Sequence, residues 1–198
     1  MRSGEPSRLL PVFRCDPESG EPVQSELRWG LIPHYADARP ELQPIHARAE
    51  TISEKRMFRD AYRKRRCVVP MTSFNLKDQN GNRRAISRVG GAPFGVAGIW
   101  ENWKDRLTGR WERTFAIITV PANKLIEPIH DRMPAILHNN DYRRWIGPED
   151  DPHDSDFRAG QTDQPRSGRH LLRRSELRRR RRTLRRTRPE SFLRIQPG

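Results

Sequence analysis

Residues 114–120 read Thr-Phe-Ala-Ile-Ile-Thr-Val, and this run decides the fold together with Phe-Gly-Val-Ala-Gly-Ile-Trp at residues 94–100. Both runs are rich in β-branched and aromatic residues, which favour strands. Turn signals at Gly81-Asn82 and Gly90-Gly91 separate shorter apolar runs that precede residue 94. The sequence therefore predicts a chain built mainly from short strands rather than long helices.

The other predicted elements lie between Ser25 and Gly147. Further strands are predicted over residues 26–32, 67–74, 84–88 and, more briefly, 135–138. A helix is predicted after Ser53, a plausible N-cap, because apolar residues from Met57 to Tyr62 recur at helical spacing. Two shorter helices are predicted over residues 123–128 and 141–146. The mixture indicates an α+β fold.

The charge of the chain is large and unevenly distributed. The 198 residues include 39 Lys+Arg and 25 Asp+Glu, a formal net charge of +14. Residues 156–198 alone hold 14 arginines and four acidic residues, which leaves a net charge of only +4 for the rest. Such an excess favours a polyanionic partner. Hydrophobic residues make up 33% of the chain, which is enough for one modest core.

Composition changes abruptly after Asp154. We therefore predict a globular domain over residues 1–154 and an Arg-rich tail over residues 155–198. Residues 178–182 are consecutive arginines, and such a run is disordered unless it binds phosphates. A shifted reading frame is an alternative origin for the tail.

Several classes of protein are excluded by what the sequence lacks. The longest apolar run, Phe115 to Val120, is far shorter than the ~20 residues that span a bilayer. No apolar stretch follows Met1 as in a secretory signal, so we expect a cytoplasmic protein. Cys15 and Cys67 form no CxxC motif and lie beside no histidine cluster, so no disulfide, metal site or cofactor is expected.

Four segments carry a resemblance to a known family. They are Trp29-Gly30-Leu31-Ile32-Pro33, Ala47-Arg48-Ala49-Glu50-Thr51, Arg65-Arg66-Cys67-Val68-Val69-Pro70 and Ile129-His130-Asp131-Arg132-Met133-Pro134. In this order and spacing they resemble the SOS response-associated peptidase (SRAP) family, the abasic-site processing proteins that crosslink themselves to damaged single-stranded DNA. Residues 98–101 and 119–123 extend the similarity to roughly residues 5–150.

The resemblance implies both a fold and a chemistry. The implied fold is a mixed sheet, partly closed into a β-barrel, with a few short peripheral helices. The resemblance also implies a monomer and a positively charged cleft for single-stranded DNA with abasic sites. The implied enzyme is a thiol autopeptidase that removes its initiator Met. The exposed cysteine then closes a thiazolidine with the aldehyde of an abasic site. An α-amine with a pKa of about 7.7–8.0 is partly nucleophilic at neutral pH, and a thiolate can close the ring.

By resemblance, three residues form the centre of the site. His130 falls on the catalytic histidine, whose imidazole suits proton transfer near neutrality. Arg48 and Arg132 fall on arginines that contact DNA phosphates. The alternatives are a structural or surface role for His130, and for each arginine a pair with a carboxylate such as Glu50 or Asp131.

Three further residues are predicted to contact DNA. Tyr35 lies where the family has an aromatic residue that stacks on a base, although it is equally suited to the core. His46 replaces an asparagine before the Ala-Arg pair and can donate one hydrogen bond. Asn75 lies in residues 74–77, where the family's catalytic glutamate is expected and where no carboxylate occurs.

The nucleophile also departs from the family pattern. Arg2 follows Met1, and the chain is expected to lack the N-terminal segment that carries the reactive cysteine. Neither Cys15 nor Cys67 offers a free α-amine beside its thiol, so we do not expect this chain to form the thiazolidine. Two alternatives to an active SRAP protein therefore stay open: a non-catalytic binder of single-stranded nucleic acid, and a nonfunctional fragment.

Overall fold

The structure is a computed structural model that describes residues 6–147 and 193–197. Its strands, in chain order, are β1 Leu9–Cys15, β2 Pro22–Trp29, β3 His46–Arg48, β4 Arg66–Met71, β5 Ser73–Lys77, β6 Arg83–Arg88, β7 Phe94–Lys104, β8 Trp111–Pro121, β9 Arg132–Pro134 and β10 Leu193–Pro197. Its helices are α1 Arg56–Lys64 and α2 Tyr142–Ile146. Neither helix is long and apolar enough to cross a membrane, and the described residues contain no other candidate.

Five strands form a closed circuit of hydrogen bonds, which we call the ring. Antiparallel pairs join β2 to β1, β1 to β4, β4 to β7 and β7 to β8, and a parallel pair between β2 and β8 closes the circuit. β3 and β9 also pair with β8. The predicted fold class, an α+β fold with a mixed, partly closed sheet and few short helices, is confirmed.

The inner face of the ring is packed with apolar side chains. Strand partners and residues two apart share a face, and this register groups side chains that are at most 2% exposed: Val12, Leu27, Cys67, Phe115 and Ile117. The Arg14 guanidinium lies 5.1 Å from the centre of the Trp100 ring, a contact between strands that are not neighbours. This face therefore points inward, and its packed middle separates two ends of the ring.

The outer face is covered by the helices. α1 buries Phe58, Ala61 and Tyr62, which fall on one side of a helix at this spacing. In α2, the Trp145 indole donates a hydrogen bond of 2.9 Å to the Cys67 carbonyl of β4. Both helices therefore pack against strands of the ring, on its outer side.

A second sheet of three strands, in the order β10-β6-β5, begins where the ring strand β4 ends. Only Thr72 separates β4 from β5, so β5 starts beside the end of the ring at which β8 also finishes. Leu193 of β10 is 3% exposed and pairs with Arg88. No strand was predicted there, and the rest of the predicted tail, residues 155–192 and 198, lies outside the described residues.

The strand predictions differ from the structure in three places. The single strand predicted over 67–74 is two strands, because the chain leaves the ring at Thr72 and β5 pairs with β6 instead. The predicted strand 26–32 ends early, at Trp29, since Gly30 adopts φ 131°, which side-chain-bearing residues rarely take. Over residues 135–138 only an isolated bridge between Ile136 and Val96 forms.

The helix predictions were less accurate at their boundaries. Ser53 is not the N-cap: residues 51–54 form a turn, and α1 starts at Arg56 without a side-chain cap. Residues 123–128 form hydrogen-bonded turns rather than a helix, in which the Asn123 carbonyl accepts from the Ile126 and Glu127 amides. Pro128 has no N–H to extend the ladder.

Candidate functional site

A cavity of about 670 Å³ opens at the end of the ring where β8 finishes. Residues from both sheets and from the segment between β8 and β9 line it: Leu10, Pro11, Trp29, His46, Arg48, Val69, Pro70, Met71, Thr72, Ser73, Phe74, Asn75, Leu76, Lys77, Ile117, Thr119, His130, Arg132, Met133 and Pro134. None of these lining residues carries a carboxylate, whereas two arginines and a lysine do carry positive charge. The cavity is therefore electrostatically suited to an anion.

Five of the six site residues predicted from the sequence line this cavity, namely His46, Arg48, Asn75, His130 and Arg132. Tyr35 does not. Its ring is half-buried, with the Arg56 guanidinium 4.3 Å from the ring centre and the His34 ring edge-on at 5.4 Å. The predicted stacking role of Tyr35 is thus not part of the cavity.

The short strand β3 aims two of these residues at the cavity. It runs parallel to β8, with His46 opposite Ile117 and Arg48 opposite Thr119. Ala47 between them is 1% exposed, so it packs into the core. Alternation along a strand then turns the side chains of His46 and Arg48 to the opposite, accessible face.

Arg132 is held by a carboxylate and by the β8 backbone. Its two terminal nitrogens donate to the Glu50 oxygens at 2.7 and 2.9 Å, and one of them also donates to the Thr119 carbonyl at 2.7 Å. Its Nε is buried without a partner among the described residues. Arg132 thus forms the ion pair with a carboxylate that was the alternative for both arginines. These contacts fix its guanidinium in place.

Glu50 is expected to stabilise the fold in a pH-dependent way. Hydrogen bonds from Arg132 lower the pKa of Glu50 below its ordinary value of 4.5. Stabilisation from a lowered carboxyl pKa is complete above the ordinary value and disappears as the pH falls through the folded-state value. Glu50→Gln should lower the Tm at neutral pH, and the difference from wild type should shrink below pH 4.5. A Tm difference that does not change with pH contradicts this account of the pair.

Arg48, in contrast, makes no hydrogen bond or ion pair with any residue that the structure describes. Its charge contributes to the lowered pKa of Glu50, which places it within electrostatic reach of that carboxylate without direct contact. An accessible guanidinium presents a planar fork of donors that matches phosphate oxygens. Arg48 is thus the arginine of the cavity that is available to a ligand.

His130 lines the cavity and has one ring nitrogen unpaired among the described residues. Its Nδ1 lies 3.0 Å from the Arg132 amide nitrogen, 3.1 Å from the Arg132 carbonyl oxygen and 3.1 Å from an Asp131 carboxylate oxygen. Its Nε2 has no hydrogen-bond partner among the described residues. Contacts at Nδ1 fix the orientation of the ring, and Nε2 is left to exchange a proton with a ligand.

The surroundings of His46 favour its neutral form. Surrounding protein atoms desolvate the ring, and the nearby charge of His130 adds to this effect, so the pKa of His46 is lowered. The Trp29 ring packs edge-on against it at 6.0 Å between centres. A neutral imidazole here can offer one hydrogen-bond donor and one acceptor to a sugar or phosphate.

Trp29, Thr119, Leu76 and Lys77 line the cavity but were assigned no role from the sequence. Trp29 is stacked on Phe115 at 6.3 Å, and its indole donates to the Ile45 carbonyl at 2.9 Å. The sequence signal that could have pointed to Trp29 as a site residue was its position in the Trp-Gly-Leu segment, directly before Gly30. Leu76 and Lys77 occupy the segment in which a carboxylate was sought, and they give the wall an apolar and a basic group instead.

Neither cysteine lines the cavity. Cys67 is 0% exposed on the inner face of the ring, and burial raises the pKa of its thiol. Cys15 is partly exposed at the other end of the ring. Because the thiolate is the reactive form, the buried Cys67 thiol should be unreactive in the folded protein.

We expect the two thiols to differ sharply in reactivity. Iodoacetamide should modify Cys15 in the native protein, whereas Cys67 should react only after unfolding. Intact-mass measurement counts the adducts, and a Cys15→Ser variant is the control that should stay unmodified while folded. Native modification of Cys67 at a rate like that of Cys15 contradicts its burial in the ring.

The fold and the cavity define a small α+β protein with a basic, carboxylate-free pocket at one end of a closed sheet. The chain belongs to the SOS response associated peptidase (SRAP) family, whose sequence model matches residues 4–170. It is 38% identical over 129 residues to the abasic site processing protein YobE of Bacillus subtilis, covering 63% of this chain and 58% of that protein. It is also 26% identical over 172 residues to the abasic site processing protein HMCES of Xenopus tropicalis, covering 69% and 49%.

Solved structures support the same fold. A crystal structure of a protein from Bacteroides thetaiotaomicron superposes with a TM-score of 0.65 at 33% identity, covering 72% of this chain and 64% of that one. A protein from Bordetella bronchiseptica gives 0.63 at 26% identity, covering 71% and 74%. The chain spans little more than half the length of the Bacillus relative and about half that of the Xenopus protein.

Proposed function

We propose that the cavity binds single-stranded DNA at an abasic site. The observation that carries this proposal is the combination of an unpaired Arg48 guanidinium with the free Nε2 of His130 in a cavity whose lining residues include no carboxylate. The Bacillus and Xenopus relatives, both abasic site processing proteins, are named for the same class of substrate.

Each cavity residue has a distinct part in the proposed complex. Arg48 donates two hydrogen bonds to a backbone phosphate. Nε2 of His130 exchanges a proton with an oxygen of the abasic sugar, while Arg132, fixed by Glu50, holds the His130 ring in place through its backbone contacts. Arg132 is therefore a positioning residue, and Asn75 and neutral His46 supply further hydrogen bonds to the sugar and phosphate.

Single-stranded DNA fits this cavity because its backbone bends freely into a recess. The cavity walls formed by Leu76 and Met133 are apolar, as suits the face of a deoxyribose. A missing base removes the bulk that would otherwise have to enter with the sugar. Binding at an abasic position should therefore be tighter than binding at an intact nucleotide.

A second candidate function, non-covalent binding without catalysis, is favoured by the positions of the thiols. Neither Cys15 nor Cys67 lines the cavity, and Cys67 is fully buried, so neither thiol is placed to react with a sugar bound there. We accordingly propose that the cavity holds abasic DNA without a covalent bond to either of these thiols.

Fluorescence anisotropy with a labelled oligonucleotide tests the proposal, comparing an abasic single strand, the intact strand and the duplex. The abasic strand should bind most tightly, and the complex should dissociate on a denaturing gel. Equal affinity for all three ligands contradicts recognition of the abasic site, and a shifted band on the denaturing gel contradicts the non-covalent mode.

A further inference from the structure

The end of the ring opposite the cavity carries a group of basic and aromatic side chains, which we call the far-end cluster. It consists of Arg14, Trp100, Asn102, Lys104, Trp111 and Arg113. The register places all of them on the inward face. Lys104 pairs with Trp111 and Asn102 pairs with Arg113, and Trp100 lies two residues before Asn102. Arg14 pairs with the inward-facing Cys67. Packed side chains such as Phe115 and Leu27 fill the ring between this cluster and the cavity.

Arg14 is the most buried cation of the cluster, at 5% exposure. Its Nε donates to the Ser25 hydroxyl at 3.0 Å and a terminal nitrogen donates to the Cys15 carbonyl at 3.2 Å. Burial, and then the charge of Arg113, lower the pKa of Arg14, while Asp16 opposes them. The Asp16 carboxylate itself accepts the amides of Glu18 and Ser19 in its own turn.

Neither Arg14 nor Arg113 makes an ion pair with a carboxylate that the structure describes. The Arg113 charge lies close enough to lower the pKa of Arg14, so this end of the ring has a local excess of positive charge. Like charges held close are unfavourable unless an anion bridges them. The cluster therefore has the electrostatics of an anion site, since Asp16 acts on Arg14 through its charge but makes no ion pair with it.

The aromatic part of the cluster is unusually accessible. Trp111 is 63% exposed, and the Lys104 ammonium lies 5.6 Å from the centre of its ring. Nearby, Oδ1 of Asn102 is buried without a hydrogen-bond partner among the described residues. An exposed indole beside cations is the combination with which proteins stack and neutralise single-stranded nucleic acid.

We propose that the far-end cluster is a second nucleic-acid site, at which a base stacks on Trp111 and an adjacent phosphate contacts Arg113, with the charge of the buried Arg14 adding to the attraction. The identity of the polyanion, single-stranded nucleic acid, rests on the proposed function, but the site itself does not depend on the chemistry of the cavity. From Trp111 to Thr119 the two ends are about 26 Å apart, at roughly 3.3 Å per residue. A short oligonucleotide cannot occupy both.

Anisotropy with abasic oligonucleotides of about 4 and about 16 nucleotides, a range that small single-strand-binding domains cover, separates the two sites. Trp111→Ala and Arg113→Glu should each weaken binding of the long strand about fivefold or more and leave the short one unchanged. Trp111→Phe should restore most of the affinity, because it keeps a stacking ring. Arg113→Glu should also reduce the salt dependence of long-strand binding.

Matched controls keep the result interpretable. Arg59→Glu makes the same change of charge on α1, on the outer side of the ring, and should alter neither affinity. Melting curves establish that the variants fold. If Trp111→Ala and Arg113→Glu bind the long strand like wild type, or weaken both lengths equally, the second site is wrong. If the far-end variants weaken binding of the long strand alone and Arg48→Ala weakens neither length, the second site stands and the cavity proposal fails.

Discussion

Replacing Arg48 by alanine should weaken binding of abasic single-stranded DNA by roughly tenfold or more. Hydrogen bonds to charged groups are worth roughly 1.5–3 kcal/mol each, and about 1.4 kcal/mol corresponds to tenfold in affinity. Arg48 has no ion pair among the described residues, so its removal leaves no protein carboxylate unsatisfied. Loss of one phosphate contact should also lower the slope of log K against log salt by about 0.7.

Two comparisons separate this effect from general charge loss. Arg59→Ala removes one positive charge from the outer helix and should leave affinity nearly unchanged. Arg48→Lys keeps the charge but loses the forked geometry, so its affinity should be intermediate. If Arg48→Ala binds like wild type across a salt titration, Arg48 does not contact the phosphate.

Phe115→Ala should destabilise the fold by about 3–5 kcal/mol, the usual cost of deleting a buried phenylalanine. Phe115 is 0% exposed on the inner face of the ring and stacks on Trp29, which lines the cavity. The truncation leaves a void in the layer that separates the two ends. For a chain of this size the Tm should fall by about 10 °C.

Leu107→Ala is the matched control for Phe115→Ala. Leu107 is 91% exposed in the turn between β7 and β8, so its truncation should change the Tm by no more than about 1 °C. Thermal melting followed by circular dichroism measures both variants. A Phe115→Ala protein that melts like Leu107→Ala contradicts a packed ring interior.

The central strands and the site motifs were predictable because their signals are local. The runs at 94–100 and 114–120 became β7 and β8, which carry the core of the ring. The segments containing Arg48 and His130 are far apart in the chain, yet pairing of β3 and β9 with β8 brings them to one cavity. Their convergence followed from the family resemblance, since periodicity alone does not specify strand order.

The errors arose where long-range contacts decide the outcome. β1 contains Pro11 and alternates poorly, so it was not predicted, although its pairing with β2 and β4 makes it essential to the ring. The stacking role of Tyr35 stays a prediction, but its contact with Arg56, 21 residues later in the sequence, had no local signal. Leu193 was missed because one buried leucine is hard to recognise in an arginine-rich segment.

The same reasoning explains why the two arginines could not be distinguished from sequence. Arg48 and Arg132 both lie in family motifs, and either was free to pair with a carboxylate. Only the arrangement of β8 and β9, which brings Glu50 and the Thr119 carbonyl to Arg132, commits that residue. The basis for the proposed DNA binding thus moves from a net charge of +14 to a single unpaired guanidinium and its neighbours.

Photo-crosslinking from the abasic position tests the cavity most directly. An oligonucleotide with a diazirine on the abasic sugar is bound, irradiated and digested, and the attached peptides are identified by mass spectrometry. The proposed function predicts attachment within residues 46–48, 75–77 and 130–134, and its loss in Arg48→Ala. Attachment confined to the arginine-rich residues 156–192, unchanged in Arg48→Ala, contradicts the cavity as the site of abasic-DNA binding.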